Sequence, residues 1–151
     1  MAKKQSRKTI QNRCDKNWSK AVRLRAGEKC EKCGAGWKSK AYVNSKGEKK
    51  ARRYGLESHH IISRSFRVTR WSLGNGLCLC TSCHVYRGAH SDCFIDQVNF
   101  HDWLWSYHEE TREDDFGTLR YQMIIAAKNG SKPLPMAQLR QIDEALKKAV
   151  L

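Results

Sequence analysis

Two cysteine pairs, Cys30-x2-Cys33 and Cys80-x2-Cys83, constrain this chain more than any other feature. A two-residue spacer lets neighbouring thiolates grip one ion, and four thiolates complete the tetrahedral shell that Zn2+ prefers. The 46 residues between the pairs, 34 to 79, exceed the gap of a simple zinc ribbon. An ion held this way clamps together the two ends of an inserted unit. A closed shell of four cysteines leaves no open position, so the expected ion is structural. Cys14, Cys78 and Cys93 stand outside the set. Cys78, in Gly-Leu-Cys-Leu-Cys, reads as a buried strand residue.

A metal staple suits this chain of 151 residues, 40% of them hydrophobic, which points to one domain with modest extensions and long polar stretches. No apolar run approaches the roughly 18–20 residues of a membrane span. The opening MAKKQSRKTIQNRC has no apolar segment of the secretory type. The expectation is a cytoplasmic protein with no membrane partner, its seven cysteines serving as metal ligands or free thiols rather than disulfides.

Charge is distributed unevenly. Residues 1 to 53 hold 18 Lys and Arg against 4 Asp and Glu, whereas residues 54 to 151 hold 11 against 11. The whole excess of +14 therefore sits in the first third. A concentrated basic segment fits a polyanion surface, because each neutralised phosphate releases counterions. Lys3, Lys4, Arg7 and Lys8 are the candidate backbone contacts of an N-terminal arm. A solvated tail kept for solubility is the plainer alternative.

The chain is read as a basic arm and helix (1–27), a core (28–92) and a helical extension (93–151). Residues 1 to about 14 read as loosely attached, with a helix capped by Asp15 and stopped by Gly27. Trp37 to Tyr54 reads as a hairpin or flexible basic loop around Ser45-Lys46-Gly47. Leu56 to Ile62 and Gly76 to Leu79 suit strands, and Thr81 opens a helix to about His90. Three stripes follow: Phe94 to Tyr107, Leu119 to Ala127 before Asn129-Gly130, and Met136 to Val150 after Pro135. The acidic cluster Glu109 to Asp115 reads as a solvated turn.

A second constellation lies inside the cysteine frame. It comprises Ser58-His59-His60-Ile61-Ile62, Asn75-Gly76, and His84 directly after Cys83. Adjacent histidines alone say little; the ordered set resembles the HNH motif. The resemblance covers roughly residues 28 to 92, through Cys30-x2-Cys33, Leu56 to Arg64, Trp71, Asn75-Gly76, Leu79-Cys80-x2-Cys83-His84 and His90. It is similar to the zinc-containing HNH nucleases common in phages, within the His-Me finger (ββα-metal) superfamily.

The resemblance implies an α+β fold, a small zinc-stapled ββα-metal core with flanking α-helices. It implies an endonuclease that hydrolyses DNA phosphodiester bonds to 5′-phosphate and 3′-hydroxyl ends, in the host cytoplasm if phage-encoded. His60 would be the general base, suited to neutral pH by an imidazole pKa near ~6.5. His59 and His84 would hold one divalent cation, Asn75 would brace the segment bearing His60, and Arg64 and Arg67 would clamp phosphate. Neighbours on a strand point to opposite faces, so His59 and His60 converge only where the strand ends or bends. Ser63-Arg64-Ser65 is compatible with that.

The chain departs from part of the superfamily: the third histidine of colicin-type enzymes, four residues beyond His84, is Gly88 here. The expectation is thus two protein ligands completed by water and phosphate, favouring Mg2+ or Mn2+, with His90 structural by default but open as a third ligand, and His101 and His108 structural. Two rival readings remain open. One is a non-catalytic zinc-dependent nucleic-acid-binding module, and the other is a recombination accessory protein whose helical part binds a partner. RNA as substrate and the oligomeric state are also open.

Overall fold

Helix α1 (Arg7–Arg25) opens the structure, well before the expected start at Asp15. The computed structural model describes residues 5–111 and 123–151, apart from the side chains of 108–111. Ser6 caps α1, its Oγ accepting the Thr9 N–H at 3.2 Å. The buried face is thin: Ile10, Cys14, Trp18, Ala21 and Val22. In so polar a run the first two of these do not stand out as a stripe, and packing rather than propensity holds such a helix. Asp15 is not a cap. It accepts from Arg70 (2.9 and 2.6 Å) and from the Trp71 indole (2.7 Å), tying α1 to the loop before Asn75.

Two antiparallel pairs follow, β1 (Lys38–Val43) with β2 (Lys49–Tyr54), and β3 (Leu56–His60) with β4 (Gly76–Cys80). The two pairs contrast. Every strand residue of β1 and β2 is exposed, whereas β4 is buried except at its end. In the β3–β4 register His59 faces Leu77 and His60 faces Gly76. Gly76 is there for space: a Cβ would lie 2.4 Å from Val22 Cγ2 and 2.9 Å from Trp18 Cζ2. Its bare backbone lets α1 settle on the sheet beside His60.

After β4 the chain makes a π-helical turn, Ser82–Tyr86, instead of the expected helix to His90. Helix α2 (Phe94–Thr111) buries Phe100 and Leu104, residues 123–129 are helical (α3), and α4 (Met136–Lys148) buries Leu139, Asp143 and Leu146. Leu119 and the acidic cluster Glu109 to Asp115 lie outside the described residues and side chains. Helix α4 packs on α1, where Arg13 forms a bidentate ion pair with Asp143, and Arg7 and Lys20 donate to the Leu134 and Val150 carbonyls. One core of Trp18, Val22, Leu77, Leu79, Phe100 and Leu139 thereby joins both ends of the chain. Among the described residues, no helix is long and apolar enough to cross a membrane.

Candidate functional site

The four cysteines come together as their spacing requires. The sulfurs of Cys30, Cys33, Cys80 and Cys83 all lie within 4.8 Å of one another, with Cys33 and Cys80 at 3.6 Å. Cys30 and Cys33 sit on a tight knuckle, where the Cys30 N–H donates to Ala35 O and the Gly34 N–H to Cys30 O, both at 2.8 Å. The second pair spans the end of β4 and the π-helical turn. This set could hold a structural metal such as zinc. Burial pushes the Cys30 and Cys83 thiols up, and a bound divalent cation reverses that balance by displacing their protons.

Glu31, inside the knuckle, is the carboxylate that locks it to the fold. It accepts from the Cys78 N–H at 2.6 Å and the Tyr107 hydroxyl at 3.0 Å, with Arg25 at 3.4 Å. Cys78 is fully buried on β4, and burial, then the nearby Glu31, pushes its thiol up to about 12. A thiol so protonated behaves as a core residue.

The histidines form a second cluster. Nitrogens of His59, His84 and His90 lie within 4.8 Å of one another, and His84 Nε2 is 3.2 Å from His59 Nδ1. His90 was expected to be structural, six residues beyond His84 and past the reach of a regular helix. The π-helical turn changes that. The chain doubles back at Gly88, where a Cβ would sit 1.6 Å from the Cys83 carbonyl oxygen, and the His90 N–H bonds His84 O at 3.0 Å. Only glycine permits so close a crossing.

Glu57 completes this cluster. It bonds His84 Nδ1, which fixes the tautomer with Nε2 as the free donor atom turned toward His59. Glu57 stands two residues before His59 on β3. A period-two reading of the strand would have put the two on one face. Phe100 packs edge-on against His59 at 5.9 Å, and burial, then the His84 and His90 imidazoles, pushes His59 down to about 3. A nitrogen held neutral in this way is available to a cation.

His60 obeys the alternation of the strand and turns toward α1. Its ring stacks on Trp18 with centroids 3.8 Å apart and 15° between planes, and its Nε2 lies 2.9 Å from the Arg70 carbonyl. A carbonyl only accepts, so Nε2 carries the proton and the lone pair resides on Nδ1. Burial lowers the His60 pKa and so favours this neutral form, with the Arg70 carbonyl acting in the opposite direction. β3 ends at His60, and both histidines border one cleft of 590 Å3, also lined by Arg64, His84, His90, Phe100 and His101. His101, expected to be structural, is thus a cleft residue.

Asn75 is fully buried directly beneath. Its Oδ1 accepts the Ile62 N–H at 2.6 Å, and its Nδ2 donates to Ile62 O (3.0 Å) and Thr69 O (3.2 Å). Its own carbonyl accepts the Ile61 N–H at 3.0 Å. The segment after His60 is therefore pinned on both sides.

The remaining sequence candidates are scattered. Arg64 is exposed at the cleft, whereas Arg67 is half-buried and does not line it. Arg7 is engaged with Leu134 O, and Lys8 is exposed on the first turn of α1. Lys3 and Lys4 lie outside the described residues. No protein-family model, curated protein or solved structure matches the chain.

Proposed function

We propose that this chain is a metal-dependent endonuclease of the HNH type that hydrolyses phosphodiester bonds in DNA. One observation carries the reading. Three imidazoles, His59, His84 and His90, converge at a cleft that a fourth, His60, also borders, with the proton of His60 committed to a backbone carbonyl. β3, β4 and the π-helical turn are read as the ββα unit, and the four cysteines as its zinc staple.

The donor set fits a divalent cation, which when bound supplies positive charge to a phosphate oxygen. Three imidazole nitrogens suit Mn2+, Zn2+ or a similar first-row ion better than Mg2+, which prefers oxygen ligands. His60 takes a proton from the attacking water at Nδ1. Water oxygen bonds to phosphorus as the bond to the 3′ oxygen breaks, and that oxygen takes a proton from solvent, giving 5′-phosphate and 3′-hydroxyl ends. Trp18 and the Arg70 carbonyl keep the imidazole from turning, and Asn75 holds the backbone that bears it. Glu57 keeps the free nitrogen of His84 turned inward. Arg64, exposed at the rim, is the group that would meet phosphate.

A binding module without catalysis leaves the convergence of four imidazoles unexplained. The two readings separate on incubation of the purified protein with supercoiled, linear and branched DNA under Mn2+, Zn2+, Ni2+ and Mg2+. Nicking or cutting with Mn2+ that EDTA abolishes is the expected result. Intact DNA under every ion would remove the proposal.

A further inference from the structure

The basic first third of the chain divides in the structure into charges that are used internally and charges that are not. On α1, Arg7, Arg13, Lys20, Arg23 and Arg25 all donate to groups of the fold itself. On the β1–β2 ribbon, Lys38, Lys40, Lys49 and Arg52 have no carboxylate partner among the described residues. Paired residues of an antiparallel ribbon share a face. One face therefore carries the rungs Lys38–Tyr54, Lys40–Arg52 and Tyr42–Lys50. Four of these residues, Lys40, Tyr42, Arg52 and Tyr54, line an open depression.

Lys40 directly opposite Arg52 is a cross-strand pair of like charge, which costs an isolated hairpin stability. Rule-breaking of this kind collects where a ligand compensates it. Here the ligand must be anionic and must also offer surface to two tyrosines. A two-stranded ribbon fits the roughly 12 Å major groove of B-DNA, but not the roughly 6 Å minor groove. The base of the ribbon is anchored. Arg23 lies over the Trp37 ring at its entrance, and Thr81 N–H bonds Gly55 O at 3.1 Å at its exit. Tyr54 precedes His59 by five residues, so the ribbon and the cleft lie within about 17 Å along the chain at ~3.3 Å per residue.

We propose that the β1–β2 ribbon is the duplex-recognising arm of the protein, laying the face of Lys38, Lys40, Tyr42, Lys50, Arg52 and Tyr54 into the major groove. This assignment rests on the nuclease reading for its purpose, but its test is independent of cleavage. Binding is measured in EDTA across a salt series, with a 20-base-pair duplex and a single strand of equal length. Three proteins are compared: wild type, Lys40→Ala/Arg52→Ala, and a control Lys16→Ala/Lys148→Ala that removes equal charge from exposed positions of α1 and α4.

The ribbon variant should lose duplex affinity on the order of tenfold, and its log–log salt slope should shrink by about 1.8, two contacts at ~0.9 each. The control should lose much less. A duplex whose major groove is filled by glucosylated hydroxymethylcytosine should bind wild type more weakly, while netropsin in the minor groove should not compete. Zinc content and melting temperature should not fall, since both ribbon positions are exposed. Wild-type affinity and slope in the ribbon variant, preference of wild type for the single strand, or no DNA binding at all would each overturn the assignment. If wild type binds duplex through the ribbon yet cuts under no ion, the nuclease reading fails and the ribbon stands. If wild type cuts while the ribbon variant binds normally, the ribbon alone fails.

Discussion

The protein carries two clusters of side chains that could hold a metal ion, and they differ in how many donors they bring. The cysteine cluster has four donors, a full tetrahedral set, drawn from a tight knuckle and from the junction of β4 with the π-helical turn. The histidine cluster has three donors and stands at a cleft of 590 Å3. A complete shell can only hold; an incomplete one beside open space can also take a substrate oxygen. The two share the segment from Cys80 to His90, so assembly of the first puts His84 and His90 in place for the second. The lesson is one of dependence: the staple should be needed by everything, and the histidines by chemistry alone.

The strongest way to break this comparison is to remove a staple ligand. Cys30→Ser and Cys83→Ser should lose bound zinc and cooperative unfolding together, because metal binding is coupled to folding. Wild-type protein should retain about one zinc per chain through dialysis against mild chelator. Variants that melt like wild type would take the staple away. At the histidine cluster the expected loss is confined to a second, weaker cation. His90→Ala should lower its affinity by more than tenfold in a Mn2+ or Co2+ titration, and Glu57→Gln by roughly 10- to 100-fold through the lost hold on His84. Neither should disturb the zinc. A His90→Ala protein with unchanged affinity would return the site to two protein ligands.

The two clusters differ just as much in how far the sequence disclosed them. Two cysteine pairs, each with a two-residue spacer, match the spacing of a zinc shell, so Cys30, Cys33, Cys80 and Cys83 group together from the sequence. His59, His84 and Asn75 were legible only as an ordered set. His90 was not legible, because its place depends on a π-helical turn and on a crossing at Gly88 that spacing does not encode. Nor was the start of α1. Ile10 and Cys14 lie buried at one residue per turn in a polar run, and what holds them is α4, at the far end of the chain. Asp15 has the residue type of a helix cap and became a tertiary clamp on Arg70 and Trp71. Glu57 lies within reach of strand periodicity, two residues before His59 on β3.

The smallest expected effect lies away from both clusters, where α1 meets α4. Arg13, then Lys147, holds the buried Asp143 carboxyl below the usual carboxylate range, against the opposing effect of burial. Asp143→Asn should cost about 1–2 kcal/mol at neutral pH, discounted because Arg13 is partly exposed. A lowered folded-state pKa gives stability that is full above the unfolded aspartate value of ~3.9 and is lost as pH falls through the folded value. The gap in melting temperature between wild type and Asp143→Asn should therefore be constant above about pH 5 and narrow only in stronger acid. A gap that widens with acid would contradict the pairing.

The central claim is that His60 is the base of a DNA-cutting site whose metal and fold do not depend on it. The most direct measurement is the single-turnover cleavage rate of His60→Ala with Mn2+, taken with zinc content and duplex affinity in EDTA on the same preparation. The account predicts a fall of ~10²–10⁴-fold in rate, with zinc and affinity as in wild type. Cleavage by that variant near the wild-type rate would contradict it.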